Sequence, residues 1–277
     1  MADDWSRYWR APDAPLEAMY AHFERHVYHR HSHDAYSFGV TEDGAQAFSC
    51  RGAGHTSVTG MVMAFNPDDP HDGQAADALG FTYRIIHIGP DLVASVLADI
   101  TGRPAGLPLF TKPVHIDLVL ARNLTALHRA LLGGASALRR DELLTVAIGS
   151  MVRRGAAGSL PGSATAPPAG IGAAARARDL IRADPAADIS AQQLAAASGS
   201  SRFALHRAFT SAYGMSPGDY QRQLRLRTAR RLIVAGTPLA EAAGQAGFAD
   251  QSHLTRWFTR YYGITPGGYR QAASQAA

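Results

Sequence analysis

Apolar and polar positions change rhythm twice along this chain of 277 residues. Between residues 20 and 89 they form short alternating or apolar runs, "YSFGV", "QAFSCRG", "GMVMAFNP" and "FTYRIIHIG". Turn material separates them: "TEDG", "RGAG", "NPDDPHDG" and "QAADALG". A period near two, broken by Gly, Pro and Asp, predicts short strands that close into a small barrel or sandwich. From Pro90 the period lengthens. In "PDLVASVLADITG" Leu92, Val96 and Ile100 recur at i, i+4 and i+8. Two longer amphipathic segments follow, "HIDLVLARNLTALHRALLGG" and "SALRRDELLTVAIGSMVRR", broken at Gly133-Gly134. They predict a helix pair that either packs on a second subunit or closes off its own barrel.

The second change is "RGAAGSLPGSATAPPAGIG", residues 154–172. It is built of Gly, Ala, Ser and Pro with almost no large apolar side chain, so it reads as a flexible linker with stiffer Pro-Pro patches. Beyond it the period is helical throughout. Helices are expected at 171–183, 190–197, 201–213, 217–235, 238–246 and 250–262, with a short turn near 266–271. Gly199, Gly214, Gly236, Gly247 and Gly263 punctuate them, and Pro217, Pro238 and Pro266 sit at helix starts, where a missing N–H costs nothing. The expected organisation is α+β: a β-barrel with following helices at 1–153, a linker at 154–170 and an all-α domain at 171–277.

The last domain repeats itself. "LHRAFTSAYGMSPGDYQ" at 205–221 and "LTRWFTRYYGITPGGYR" at 254–270 align with an offset of 49 residues. Each copy follows a short Ala-rich helix and a tight turn, "AQQLAAASGSS" and "LAEAAGQAGFAD", the order of a helix-turn-helix. At 100° per residue Leu205, Ala208, Phe209 and Ala212 share one side, and Phe203, His206, Arg207 and Thr210 the other. In the second copy Leu254, Trp257, Phe258 and Tyr261 oppose Ser252, Thr255, Arg256 and Thr259. Each helix therefore buries an apolar stripe and presents an arginine at the matched position. Arginine reaches guanine O6 and N7 with two hydrogen bonds, and glutamine, here Gln251, does the same for adenine. The helix between the copies, about 27 Å long at 1.5 Å per residue, is of a length to set two such faces about one DNA turn (~34 Å) apart.

Charge supports this reading. Residues 171–277 carry 13 arginines, no lysine and 6 acidic residues, a net of +7. The remainder of the chain is net −3 and holds ten of the twelve histidines. A basic module beside a slightly acidic one suits a polyanion partner, with an ordinary solvated basic surface as the alternative. Hydrophobic residues make up 46% and charged residues 18%, a folded, core-forming composition. No apolar run approaches the roughly 20 residues of a membrane helix, and "MADDWSRYWR" lacks the apolar core of a secretion signal. Cys50 is the only cysteine, which fits a cytoplasmic location.

At these residues the sequence resembles the AraC/XylS family of bacterial transcription regulators. "SGSSRFALHRAFTSAYGMSPGDYQ" is similar to the family's first helix-turn-helix module and "GFADQSHLTRWFTRYYGITPGGYR" to its second. The resemblance implies base and phosphate contacts at Arg202, Phe203, His206 and Arg207, and at Gln251, Ser252, His253, Thr255 and Arg256. More loosely, residues 20–90 resemble the cupin-like effector-binding domain of such regulators. In these a small molecule enters the barrel and the following helices dimerise. The implied partners are promoter or operator DNA, a small-molecule effector, a second copy of the chain and RNA polymerase. No cofactor and no membrane partner are expected.

One feature resists assignment by pattern alone. "HRHSHDAY", residues 29–36, places three histidines in five positions, and if residues 29–33 are extended, His29, His31 and His33 share a face. His71, in "NPDDPHDG", is a candidate neighbour. Metal-binding cupin enzymes resemble this arrangement, with a His-x-His pair, a Glu a few residues on and a later His. Here the nearest Glu after His33 is Glu42, too far along. Three imidazoles suffice for zinc with an open position, so His31, His33 and His71 leave a metal open. The other reading is a metal-free polar pocket, lined by His31, His33, Tyr36, His71 and Tyr83. No Walker loop, dinucleotide fingerprint or nucleophile elbow is present, so no enzyme is expected. The alternatives are a metal-dependent cupin enzyme with a DNA-binding tail, and a constitutive DNA-binding dimer with a vestigial barrel.

Overall fold

A computed structural model describes residues 4–12, 14–159 and 171–274. The chain divides into two compact units, centred on residues 4–159 and 171–270. Of the expected linker, residues 154–155 finish a helix, Gly158–Ser159 pair as a strand, and 160–170 lie outside the described residues.

The first unit opens with β1 (Trp5–Arg10), β2 (Leu16–Phe23), β3 (Tyr28–His31) and β4 (Tyr36–Cys50), then β5 (Ala53–Val58), β6 (Val62–Phe65), β7 (His71–Ala75) and β8 (Phe81–Ile88). Next come α1 (Pro90–Thr101), β9 (Pro108–Leu109), β10 (Val114–His115), α2 (Leu118–Leu132), α3 (Ala137–Gly155) and β11 (Gly158–Ser159). The main sheet runs β1-β2-β8-β4-β6-β10. The first half of β4 lies between β8 and β6, while its second half pairs with β5 and β7, and β3 joins through β7. A bulge between Thr41 and Asp43 separates the halves. Diverting β4 in this way leaves β1 and β10 as the ends of the main path, so the sheet is not closed as the expected barrel.

Strand pleating gives this sheet two apolar faces. Leu16, Ala18, Tyr36, Phe38, Val40, Val62, Ala64, Ile86 and Ile88 pack in one cluster with α1, α2 and α3. The alternate residues Met19, Ala21, Phe23, Met63, Phe65, Phe81, Tyr83 and Ile85 form a second cluster with Phe48 and Cys50. The helices are fixed at their ends. Pro90 starts α1, and Asp117 caps α2 by accepting from the Val119 and Leu120 amides. Ser136 caps α3 by accepting from Arg139.

The second unit is helical: α4 (Ile171–Ala183), α5 (Ala191–Ala197), α6 (Arg202–Tyr213), α7 (Pro217–Val234), α8 (Leu239–Gln245), α9 (Gln251–Tyr262) and α10 (Pro266–Ser274). Leu205 and Phe209 of α6 are buried with Leu194 of α5 and Ala174, Ala177 and Ile181 of α4. On α9 Leu254, Phe258 and Tyr261 are buried. Burying a side chain such as Phe209 or Phe258 is worth about 2–3 kcal/mol, enough to fix which way each helix faces.

Candidate functional site

The two copies of the repeat fold as two copies of one device. Helix α5 ends at 197 and α6 begins at 202; α8 ends at 245 and α9 begins at 251, so the second turn is one residue longer. Each second helix is capped the same way: Ser201 accepts from the Ala204 amide, and Asp250 from the His253 amide. Each ends on a glycine in the left-handed region, Gly214 and Gly263.

Burying the apolar stripe leaves the predicted contact residues outside. Arg202, Phe203, His206 and Arg207 are all exposed on α6, Phe203 at 70%. The Arg207 guanidinium lies 4.7 Å from the centre of the Phe203 ring, so this aromatic supports the arginine one turn on. On α9 Gln251, Ser252 and Arg256 are exposed, and His253 and Thr255 are half-buried. His253 packs edge-on against Phe248, and the Thr255 hydroxyl donates to the Gln251 carbonyl at 2.8 Å. Two apolar expectations shift. Ala212 is exposed, and Trp257 is half-buried with the Arg222 guanidinium 3.8 Å from its ring centre.

Helix α7 does more than space the modules. Arg225 donates from Nε to the Pro185 carbonyl at 2.7 Å and from one NH2 to that of Ala187 at 2.9 Å. The other terminal nitrogen donates to the Gly247 carbonyl, in the turn of the second module, at 2.7 Å. Gln221 donates to the Pro185 and Ala187 carbonyls as well. One arginine therefore ties the α4–α5 connection of the first module to the turn of the second. The sequence reading passed over it, because a half-buried arginine on a basic helix carries no periodic signal.

The histidines do converge. His31, His33 and His71 each place one ring nitrogen within 4.8 Å of the others, with His31 and His71 buried and His33 half-buried. His29 stays exposed outside the group. His87, hidden from the sequence reading inside the apolar run "FTYRIIHIG", joins them. Its ring lies 4.4 Å from that of His33, and its Nδ1 is 2.8 Å from the Ser37 hydroxyl. Tyr83 belongs to the second apolar cluster, its hydroxyl 2.8 Å from that of Tyr28. Burial pushes both phenols up, so both stay neutral. Tyr36 does not join this side. The pleat turns it toward the helices, where its hydroxyl donates to the Pro108 carbonyl. Glu42 is also elsewhere, paired with Arg84 Nε at 2.5 Å. Burial pushes the Glu42 carboxyl up, but the Arg84 bond and charge outweigh it and hold it low. The Arg84 guanidinium continues to His128 of α2, 3.1 Å from its Nδ1, while His128 Nε2 faces the Met19 carbonyl at 2.9 Å.

Comparisons with known proteins agree with both halves. Residues 13–148 match the AraC-like ligand binding domain family, and residues 194–272 a helix-turn-helix domain family, together more than three quarters of the chain. The HTH-type transcriptional regulator YbfI of Bacillus subtilis is 29% identical over 224 residues, covering 81% of this chain and 80% of its own. ToxT of Vibrio cholerae, crystallised with an unsaturated fatty acid, has the same fold at 12% identity and a TM-score of 0.53, over 100% of this chain and 98% of that one. ToxT bound to (E)-4-(8-methylnaphthalen-1-yl)but-3-enoic acid gives 13% identity and a TM-score of 0.52, over 98% of this chain and 100% of that one.

Proposed function

Because the chain belongs to the AraC family of helix-turn-helix transcriptional regulators, with a ligand-binding domain ahead of its DNA-binding domain, we propose that it binds promoter DNA through both modules at once. In this reading α6 and α9 enter successive major-groove segments. Arg207 and Arg256 read base edges, and Arg202, His206, Gln251, Ser252, His253 and Thr255 add base and phosphate contacts. The observation that carries this is the matched pair of capped helices, each exposing an arginine at the equivalent position above a buried stripe. Phe203 contributes by supporting Arg207.

The effector is a small molecule held on the His33, His71 and Tyr83 side of the main sheet. ToxT, which shares the fold, is crystallised with small carboxylic acids, and this supports a small-molecule role for the corresponding unit. Binding there shifts the protein between DNA-binding arrangements only if the effector prefers one of them. The chain acts by binding rather than catalysis, in the cytoplasm. A homodimer is supported by apolar side chains exposed beside and on the α2–α3 pair: Ile116 at 85%, Leu138 at 71%, and Leu118, Val119 and Val146. RNA polymerase is the further partner of such a regulator.

Selection of the full-length chain on random duplexes tests the reading. It should enrich one motif with two specified segments, and metabolite screening should find compounds that raise its melting temperature. Failure to enrich any sequence over bulk DNA contradicts the DNA-binding assignment.

A further inference from the structure

We propose that His31, His33 and His71 form a mononuclear site for a late first-row divalent ion of the zinc class, with at least one coordination position open to an exchangeable ligand. The claim rests on the three imidazoles alone and stands whether or not the DNA-contact assignment does.

The donor set is the first observation. Three imidazoles of which two are buried offer ring nitrogens within 4.8 Å of one another. An ion bonded to nitrogen at 2.0–2.1 Å in tetrahedral geometry holds its ligands roughly 3.3–3.4 Å apart. Closing the difference takes roughly 0.7 Å from each ring, within reach of a small side-chain rotation. An all-nitrogen set suits zinc, copper, nickel or iron(II) and disfavours calcium and magnesium, which take oxygen donors.

The second observation is how the rings are held. His31 Nδ1 lies 2.6 Å from the His29 carbonyl oxygen, and His71 Nδ1 lies 2.9 Å from that of Asp69. A carbonyl only accepts, so in both rings the proton sits on Nδ1 and the neutral imidazole carries its lone pair on Nε2. Metal-ligating histidines characteristically donate the second ring N–H to a carbonyl or carboxylate, which fixes tautomer and orientation. His71 is further immobilised by stacking on Phe65, ring centres 4.1 Å apart and 7° from parallel. His87, against His33, and Ser37 extend the polar wall.

The third is what surrounds the rings. His33 lies against both His71, ring centres 5.3 Å apart, and His87, at 4.4 Å, beside the apolar cluster that contains Phe65. Glu42 lies with Arg84 rather than here, so the site lacks the carboxylate of metal-binding cupin enzymes. Three protein ligands leave a position for water or for an oxygen or nitrogen donor of a small molecule.

The test uses the untagged full-length chain, stripped with chelator, loaded with a slight excess of Zn²⁺ and freed of unbound metal. Elemental analysis should find close to one zinc per chain. Co²⁺ in its place should give the visible d–d absorption of a low-coordinate nitrogen site. His33→Gln, at a half-buried ring, should weaken Zn²⁺ binding by about 100-fold with the far-ultraviolet circular dichroism unchanged, and His55→Gln, outside the cluster, should not. The proposal is overturned if the loaded wild type holds less than about a tenth of an equivalent of zinc and shows no Co²⁺ band. It is equally overturned if His33→Gln binds Zn²⁺ as tightly as wild type. The Co²⁺ spectrum of the wild type decides the matter even if a variant folds poorly.

Discussion

Arg225 of α7 bonds to carbonyls of both modules of the helical unit, so a single change there tests what holds them together. Replacing it with Met keeps a stem of similar length and removes every donor. Four bonds are lost: to the carbonyls of Pro185 (2.7 Å), Ala187 (2.9 Å), Ala186 (3.3 Å) and Gly247 (2.7 Å). Hydrogen bonds to a charged group are worth about 1.5–3 kcal/mol when buried. Arg225 is only half-buried, and the freed carbonyls regain water, so about 0.5–1 kcal/mol for each of the three shorter bonds is the appropriate scale. The sum is about 1.5–3 kcal/mol, felt locally in the α4–α5 connection and in the turn of the second module. Hydrogen exchange read by mass spectrometry measures it directly. In the regime where exchange follows equilibrium opening, peptides spanning 184–189 and 246–250 of Arg225→Met should exchange about 10- to 150-fold faster than wild type. Peptides from the first unit should not change. Acceleration of less than about threefold in both regions would mean that Arg225 is a surface cation with incidental contacts.

Three further outcomes follow from the same structure. Arg256→Ala should weaken binding to the selected duplex by about 1–3 kcal/mol, or about 5- to 150-fold, and relax preference at one base position; unchanged affinity at physiological salt would misplace the recognition face. Gly247→Ala should lower the melting temperature, since Gly247 has φ +82° and an added Cβ would sit 2.8 Å from backbone atoms of Ala186, whereas Gly267→Ala, which meets nothing, should not. Burial holds the His128 imidazole down at about 4, with Arg84 adding to the effect and the Met19 carbonyl opposing it. The unfolded chain, with an ordinary histidine near 6.5, binds the proton more readily. Stability is therefore full above about pH 6.5 and falls by about 3 kcal/mol as the pH drops toward 4. His128→Gln, which keeps a donor for Met19 and an acceptor for Arg84 but does not titrate, should flatten that part of the denaturation profile. Parallel profiles for wild type and variant would refute the assignment.

The second unit was legible because its information is local. Helical period, Ser and Asp caps and terminal glycines each act within a few residues, and the limits of the six expected helices differ from the observed ones by at most one position at each end, although the short turn expected near 266–271 is the helix α10. The first unit was legible only as a class. "TEDG", residues 41–44, has turn chemistry, yet β4 runs through it. A bulge absorbs the extra residue there, and Gly44 fits at φ +69° where a Cβ would strike the Gly80 carbonyl. That bulge also moves half of β4 into a second set of partners, which is why an expected barrel is an open sheet. "WSRYWR" reads as polar, yet it forms edge strand β1 because its register against β2 supplies the ladder that its composition does not advertise. Tyr36 and Tyr83 were grouped together, but residue parity in paired strands puts them on opposite faces. His87 was invisible for the same reason: only the register of β8 against β4 sets it beside Ser37.

Hydroxyl-radical footprinting of the full-length chain on its selected duplex shows whether α6 and α9 engage DNA together. Two protected segments are expected on one face of the duplex, centred one helical turn (~34 Å) apart, with Arg207→Ala and Arg256→Ala each weakening a different one. A single protected segment, or two that respond identically to both substitutions, would contradict it.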